Sequence, residues 1–163
     1  MKMRLLVTSH CNRACDGCCN EQFDLNALPL FTTFKGFTEI LLTGGEPMLY
    51  PDRIISIAVR ARANSNPGTK IYMYTAKPKD IIPVLYYLDG ICLTLHDQSD
   101  VDPFIILQQQ MQDLPTLRLK SYRLNIFQGV DIKNIDPIWK VRNNIQWIKD
   151  CPIPQDEILM RWG

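Results

Sequence analysis

The chain lacks an excess of charge of either sign, and it lacks any long apolar run. In 163 residues, 18 lysines and arginines stand against 17 aspartates and glutamates, a formal net charge of +1. That balance gives no electrostatic case for nucleic acid or for an anionic membrane as a partner. Met1-Lys2-Met3-Arg4 opens only onto the short apolar run Leu5-Leu6-Val7. Such a run is too short for a signal peptide or a membrane-crossing helix, so a cytoplasmic location is expected. No internal repeat, low-complexity tract, linker, second CxxC or histidine pair is present. The length suits one domain spanning 1–163, with a core at about 3–127 and a C-terminal extension at 128–163. A chain of this size buries roughly 70% of its unfolded surface and needs no disulfide staples.

Short apolar runs alternate with helix-length segments. Strands are expected at Arg4–Thr8, Ile40–Thr43, Lys70–Thr75, Ile91–Leu95, Leu119–Phe127 and Glu157–Trp162. Helices are expected at Asp52–Asn64, with Asp52 as N-cap, at Ile81–Leu88, and from Asp102-Pro103 to about Gln112. A further helix is expected over Pro137–Lys149, with Ile138, Val141, Ile145 and Ile148 on one face. Strand and helix alternating in this way argue for βαβ units and a parallel α/β sheet. Five or six units are too few for a closed eight-fold barrel, so an open or partial (βα) barrel is expected. In such folds function gathers at the carboxyl ends of the strands.

Four of the six cysteines lie directly after the first strand, as Cys11-Asn-Arg-Ala-Cys15-Asp-Gly-Cys18-Cys19. The CxxxCxxC spacing lets three thiols of one loop converge on a soft-metal site, and thiolates are the usual ligands of iron–sulfur clusters. Three cysteines would leave one iron of a cubane without a protein ligand, free to bind a substrate. A structural zinc is a poorer match, because adjacent Cys18 and Cys19 rarely both ligate one tetrahedral ion. An electron-transfer ferredoxin would want a fourth ligand and CxxCxxC spacing. Cys92, in an expected core strand, reads as a small hydrophobe, and nothing around Cys151 marks it as a remote fourth ligand.

Gly44-Gly45-Glu46-Pro47 follows the second strand. By itself Gly-Gly marks a turn; at a strand end it also lets backbone approach a ligand closely. Glu46 could accept hydrogen bonds from a cationic amino group, and Pro47 stiffens the exit.

Together, in this order after strands one and two, the cysteine loop and GGEP resemble the radical S-adenosylmethionine family, from about Met3 to Phe127. The resemblance implies a truncated barrel in which Cys11, Cys15 and Cys18 hold a [4Fe–4S] cluster and Gly44, Gly45 and Glu46 hold the amino group of S-adenosylmethionine. It implies reductive cleavage to a 5′-deoxyadenosyl radical, with a flavodoxin or ferredoxin as electron donor. Gly17 stands where many members carry an aromatic residue. The run Cys15-Asp-Gly-Cys18-Cys-Asn20 is instead similar to the CxGCxN of the activating component of anaerobic ribonucleotide reductase. Tyr72-Met73-Tyr74-Thr75 resembles the third strand of those activases, with Thr75 toward the ribose. That subclass implies a large glycyl-radical enzyme as partner, although Glu46 replaces the Asp common there. A small metabolite, nucleoside or peptide substrate is the alternative, and a non-catalytic iron–sulfur or zinc module the second. His96 reads equally as a cofactor or substrate contact and as a backbone-satisfied strand end. Asn125 could reach the cofactor or be an ordinary strand residue. Trp139, Trp147 and Trp162 read first as core, then as a docking surface.

Overall fold

The fold is that of a computed structural model, which describes residues 1–22, 24–148 and 152–163; the side chains of Cys19 and Gln22 lie outside that description. Seven strands form a single all-parallel sheet: β1 Lys2–Thr8, β2 Glu39–Gly44, β3 Lys70–Thr75, β4 Gly90–Leu95, β5 Ser121–Phe127, β6 Trp139–Ile145 and β7 Glu157–Arg161. Their order is β6-β5-β4-β3-β2-β1-β7, so the chain steps outward strand by strand and returns at the end to the far side of β1. The sheet is open between β6 and β7.

Helices α1 Pro51–Asn64, α2 Ile82–Leu85 and α3 Val101–Gln112 connect successive strands from β2 to β5. Their apolar stripes pack in one core with the alternate strand residues Met3, Leu5, Ile40, Leu42, Ile71, Met73, Leu93 and Leu124. Strand side chains alternate faces, so Arg4, Leu6, Thr43, Tyr74, Thr94 and Asn125 point to the opposite face, away from this core. The core-facing side is where burial drives folding; the other side is left to build a site.

Most elements fall where the sequence places them, with instructive differences. Pro51 occupies the first position of α1, where its missing N–H costs nothing, so Asp52 sits in the first turn and not at the cap. The expected helix Ile81–Leu88 shrinks to one turn and continues through tighter bonds, Tyr87 N–H to Val84 and Leu88 N–H to Leu85. Leu119 is exposed in a 3₁₀ turn, and β5 begins after it.

The helix expected over Pro137–Lys149 is instead strand β6; Lys149 itself lies outside the described residues. Trp139 and Val141, two apart, face the core, and Trp139 packs 5.1 Å from Phe104 and 5.0 Å from Tyr122. The competing helical stripe would have to bury Ile148, which is exposed, and to carry two asparagines in its interior. Asn144 adopts a left-handed φ of 54°, which no helix accommodates.

Candidate functional site

At the carboxyl ends of the strands a cavity of about 270 Å³ opens on the helix-free face. Cys11, Cys15, Cys18, Gly44, Gly45, Glu46, Thr75 and His96 all line it. Pro47 is buried at the start of a 3₁₀ turn, and Asn125, whose amide donates to the Cys92 sulfur at 3.3 Å, is not among the lining residues.

The cysteine loop is stitched to the Gly-Gly turn by backbone. Gly45 N–H donates to Thr8 O and Glu46 N–H to His10 O, both at 2.8 Å. The Asn20 amide donates to Gly44 O at 2.7 Å from the far end of the same loop. A Cβ on Gly44 would lie 2.2 Å from Thr8 O, and one on Gly45 1.9 Å from His10 O. The close approach permitted by these glycines is therefore taken up by the neighbouring loop, not left open for a ligand. Within the loop, Cys18 N–H closes a turn onto Cys15 O at 3.1 Å, and Gly17 holds a φ of 75° there. That left-handed position accounts for glycine before the third cysteine, since an aromatic side chain would be strained there.

Glu46 is 2% exposed and acts as a brace between strand ends. Its Oε1 accepts from Met48 N–H at 2.9 Å and from the Thr75 hydroxyl at 2.5 Å, and its Oε2 accepts from Ala76 N–H at 2.9 Å. A carboxylate has about four acceptor positions, so roughly one remains for a ligand. The Thr75 hydrogen is already committed to Glu46. Glu46→Gln should keep the cysteine loop in place but lose a charged acceptor, weakening the brace by about 1.5–3 kcal/mol. Urea denaturation checks this, and an unchanged midpoint would mean that the Glu46 carboxylate does not brace the strand ends.

Arg13, between the first two cysteines, was not singled out by the sequence, and neither was its partner. Its guanidinium forks onto Asp100, with Nη1 3.0 Å from Oδ2, and Nη2 also donates to Ala76 O at 3.3 Å. Asp100 is 4% exposed and accepts as well from His96 N–H at 2.7 Å. One ion pair thus ties the cysteine loop to the ends of β3 and β4. Asp100→Asn should cost about 2–3 kcal/mol by leaving a half-buried guanidinium with only the exposed Asp97 carboxylate, 3.8 Å away, to balance it. Urea denaturation checks the value. The pairing was hidden from sequence because its members are 87 positions apart.

Burial first, and then the neighbouring Cys11 and Cys18 sulfurs, push the Cys15 thiol above its ordinary range, with Arg13 opposing them. Repulsion of this kind opposes a thiolate at Cys15, and a bound cation would reverse it. Among the described residues no three His, Cys, Asp or Glu side chains converge tightly enough for one metal ion. A tetrahedral zinc with bonds of about 2.3 Å needs that convergence, with thiolates roughly 3.8 Å apart. The roles of Cys19 and Cys151 fall outside the described residues.

Comparison with protein-family models, with curated proteins and with solved structures yields no match.

The His96 ring is stacked on Trp147 at 5.4 Å and lies 4.8 Å from Phe127. Burial first, and then Arg13, lowers its pKa below the ordinary imidazole value, so it is neutral at pH 7. Its Nδ1 is buried and, among the described residues, has no hydrogen-bond partner. Trp147, together with Ile153 and Leu159, gives the C-terminal segment a share in the cavity wall. Trp139 is core, whereas Trp162 packs against Phe31 at 5.0 Å and stacks under the Arg60 guanidinium. Among the described residues no helix is long and apolar enough to cross a membrane.

Proposed function

We propose that the protein is a radical S-adenosylmethionine enzyme on a truncated, singly wound barrel. One observation carries the reading: the three spaced cysteines and the Gly-Gly-Glu turn share a cavity at the carboxyl ends of parallel strands. Cys11, Cys15 and Cys18 would hold a [4Fe–4S] cluster. When bound and reduced, that group supplies the electron that cleaves S-adenosylmethionine to methionine and a 5′-deoxyadenosyl radical able to abstract a hydrogen atom. The chain's own residues position and shield. Asn20 and the Thr8–His10 backbone fix the cysteine loop against the glycine turn, and Arg13 supplies positive charge beside the thiolates. Glu46 keeps one acceptor for an ammonium group, and neutral His96 lines the same cavity. Cys15 must lose its proton to bind iron, so loading should be favoured by raised pH.

The substrate is best read as a C–H bond carried by a larger molecule, as for an activase acting on a glycyl-radical enzyme. A cavity of about 270 Å³ is at the lower limit for a single small-molecule ligand. The cofactor would fill it, leaving the reacting carbon to be presented at the mouth. The wall built by Trp147, Ile153 and Leu159 favours a second reading, a small substrate enclosed beside the cofactor. Electron paramagnetic resonance of the reconstituted, dithionite-reduced protein tests the assignment. A cluster signal that changes on adding S-adenosylmethionine is expected, and a signal indifferent to it would overturn cofactor binding at the cluster.

A further inference from the structure

Beyond the cavity, the helix-free face continues across β4, β5 and β6, and there its character changes. Register aligns Cys92, Arg123 and Lys140 in one row and Thr94, Asn125 and Arg142 in the next. Tyr122, Leu124, Trp139 and Val141 face the core, so Arg123, Lys140 and Arg142 share the opposite face, and all three are exposed. Arg123 and Arg142 both act electrostatically on Cys92, placing them on its side of the sheet.

No carboxylate pairs with these three cations among the described residues. Glu39 and Glu157 share a small cleft with Arg123, but Glu39 is held by Lys2 and Glu157 by Arg4. Asp97 and Asp100, at the end of β4, are engaged by Arg13. Basic residues on an edge strand ordinarily guard against strand pairing, which would explain Lys140 and Arg142. It does not explain Arg123, whose strand is paired on both sides. Thr94 lines the catalytic cavity, and Arg142 lies two strands away, roughly 10 Å at the usual strand spacing.

We infer that Arg123, Lys140 and Arg142 form a docking surface for an acidic protein segment that delivers the substrate C–H to the cavity mouth. This rests on the radical enzyme reading and names the chemistry of its partner. Three cations on two strands match a short acidic peptide better than nucleic acid, which needs an extended basic footprint that a net charge of +1 does not provide.

The test uses the iron-loaded protein with three probes at low salt: a glutamate-rich peptide around a central glycine, its glutamine counterpart, and a single-stranded oligonucleotide. The acidic peptide should bind in a salt-sensitive way and slow amide exchange in residues 139–145. An Arg123→Gln, Lys140→Gln, Arg142→Gln variant should bind it about tenfold more weakly, as expected for losing a few exposed charge pairs. A Lys35→Gln, Lys79→Gln control should bind as before. Equal binding of the glutamine peptide, tighter binding of the oligonucleotide, undiminished binding by the triple variant, or no peptide binding would each overturn the inference. S-adenosylmethionine cleavage by the unaltered protein is measured separately; its absence would sink the radical reading and leave the docking result standing.

Discussion

Gly45→Ala should yield a protein that is markedly less stable and cannot load iron. The added methyl would lie 1.9 Å from His10 O, well inside any permitted contact. The obstacle is backbone, so no side chain can swing aside. Relief requires parting the cysteine loop from the turn, which also breaks the Glu46 N–H to His10 O bond and strains Gly45 N–H to Thr8 O. Overpacking and the lost bonds together should cost about 3–4 kcal/mol. At this chain length each kcal/mol lowers the melting temperature by roughly 2–4 °C. Differential scanning fluorimetry and iron analysis of Gly45→Ala check both halves. A variant that melts normally and loads iron would mean that the stitched loop is not how the site is held.

Cys15→Ala should abolish the [4Fe–4S] absorbance altogether, with Cys11→Ala and Cys18→Ala doing the same. Among the described side chains these three cysteines of the loop face the cavity, and Cys15 feels both of the others. Its loss removes the middle ligand, and two thiolates do not hold a cubane. Cys19→Ala should retain iron, because three ligands complete the protein's share. Anaerobic reconstitution followed by iron and sulfide analysis separates the cases. If Cys19→Ala lost iron as completely as Cys15→Ala, a four-thiolate site would be the better description.

The parallel sheet was legible because period-two apolar runs and intervening amphipathic stretches each carry their own signal, as in Lys70–Thr75 and Asp52–Asn64. The segment at Pro137–Lys149 was not, because Ile138, Val141 and Ile145 satisfy a helical period while Trp139 and Val141 satisfy an extended one. What decided between them was the partner strand, a contact that local pattern does not contain. In the site, motif spacing located the cysteines, the glycines and Glu46. It could not show that the space over Gly44 and Gly45 is filled by Thr8–His10, nor that Thr75 is spent on Glu46. Arg13–Asp100 and the stack of Trp147 on His96 join residues remote in sequence and carry no local signature.

On the proposed reading, this cavity performs reductive cleavage of S-adenosylmethionine. The most direct measurement is anaerobic reconstitution with iron and sulfide, reduction with dithionite, addition of S-adenosylmethionine, and quantification of 5′-deoxyadenosine by liquid chromatography. The isolated protein should form 5′-deoxyadenosine and methionine slowly and unproductively, and Cys15→Ala should form neither. A fully reconstituted protein that forms no 5′-deoxyadenosine, or a Cys15→Ala variant that forms it equally well, would rule out radical S-adenosylmethionine chemistry at this cavity.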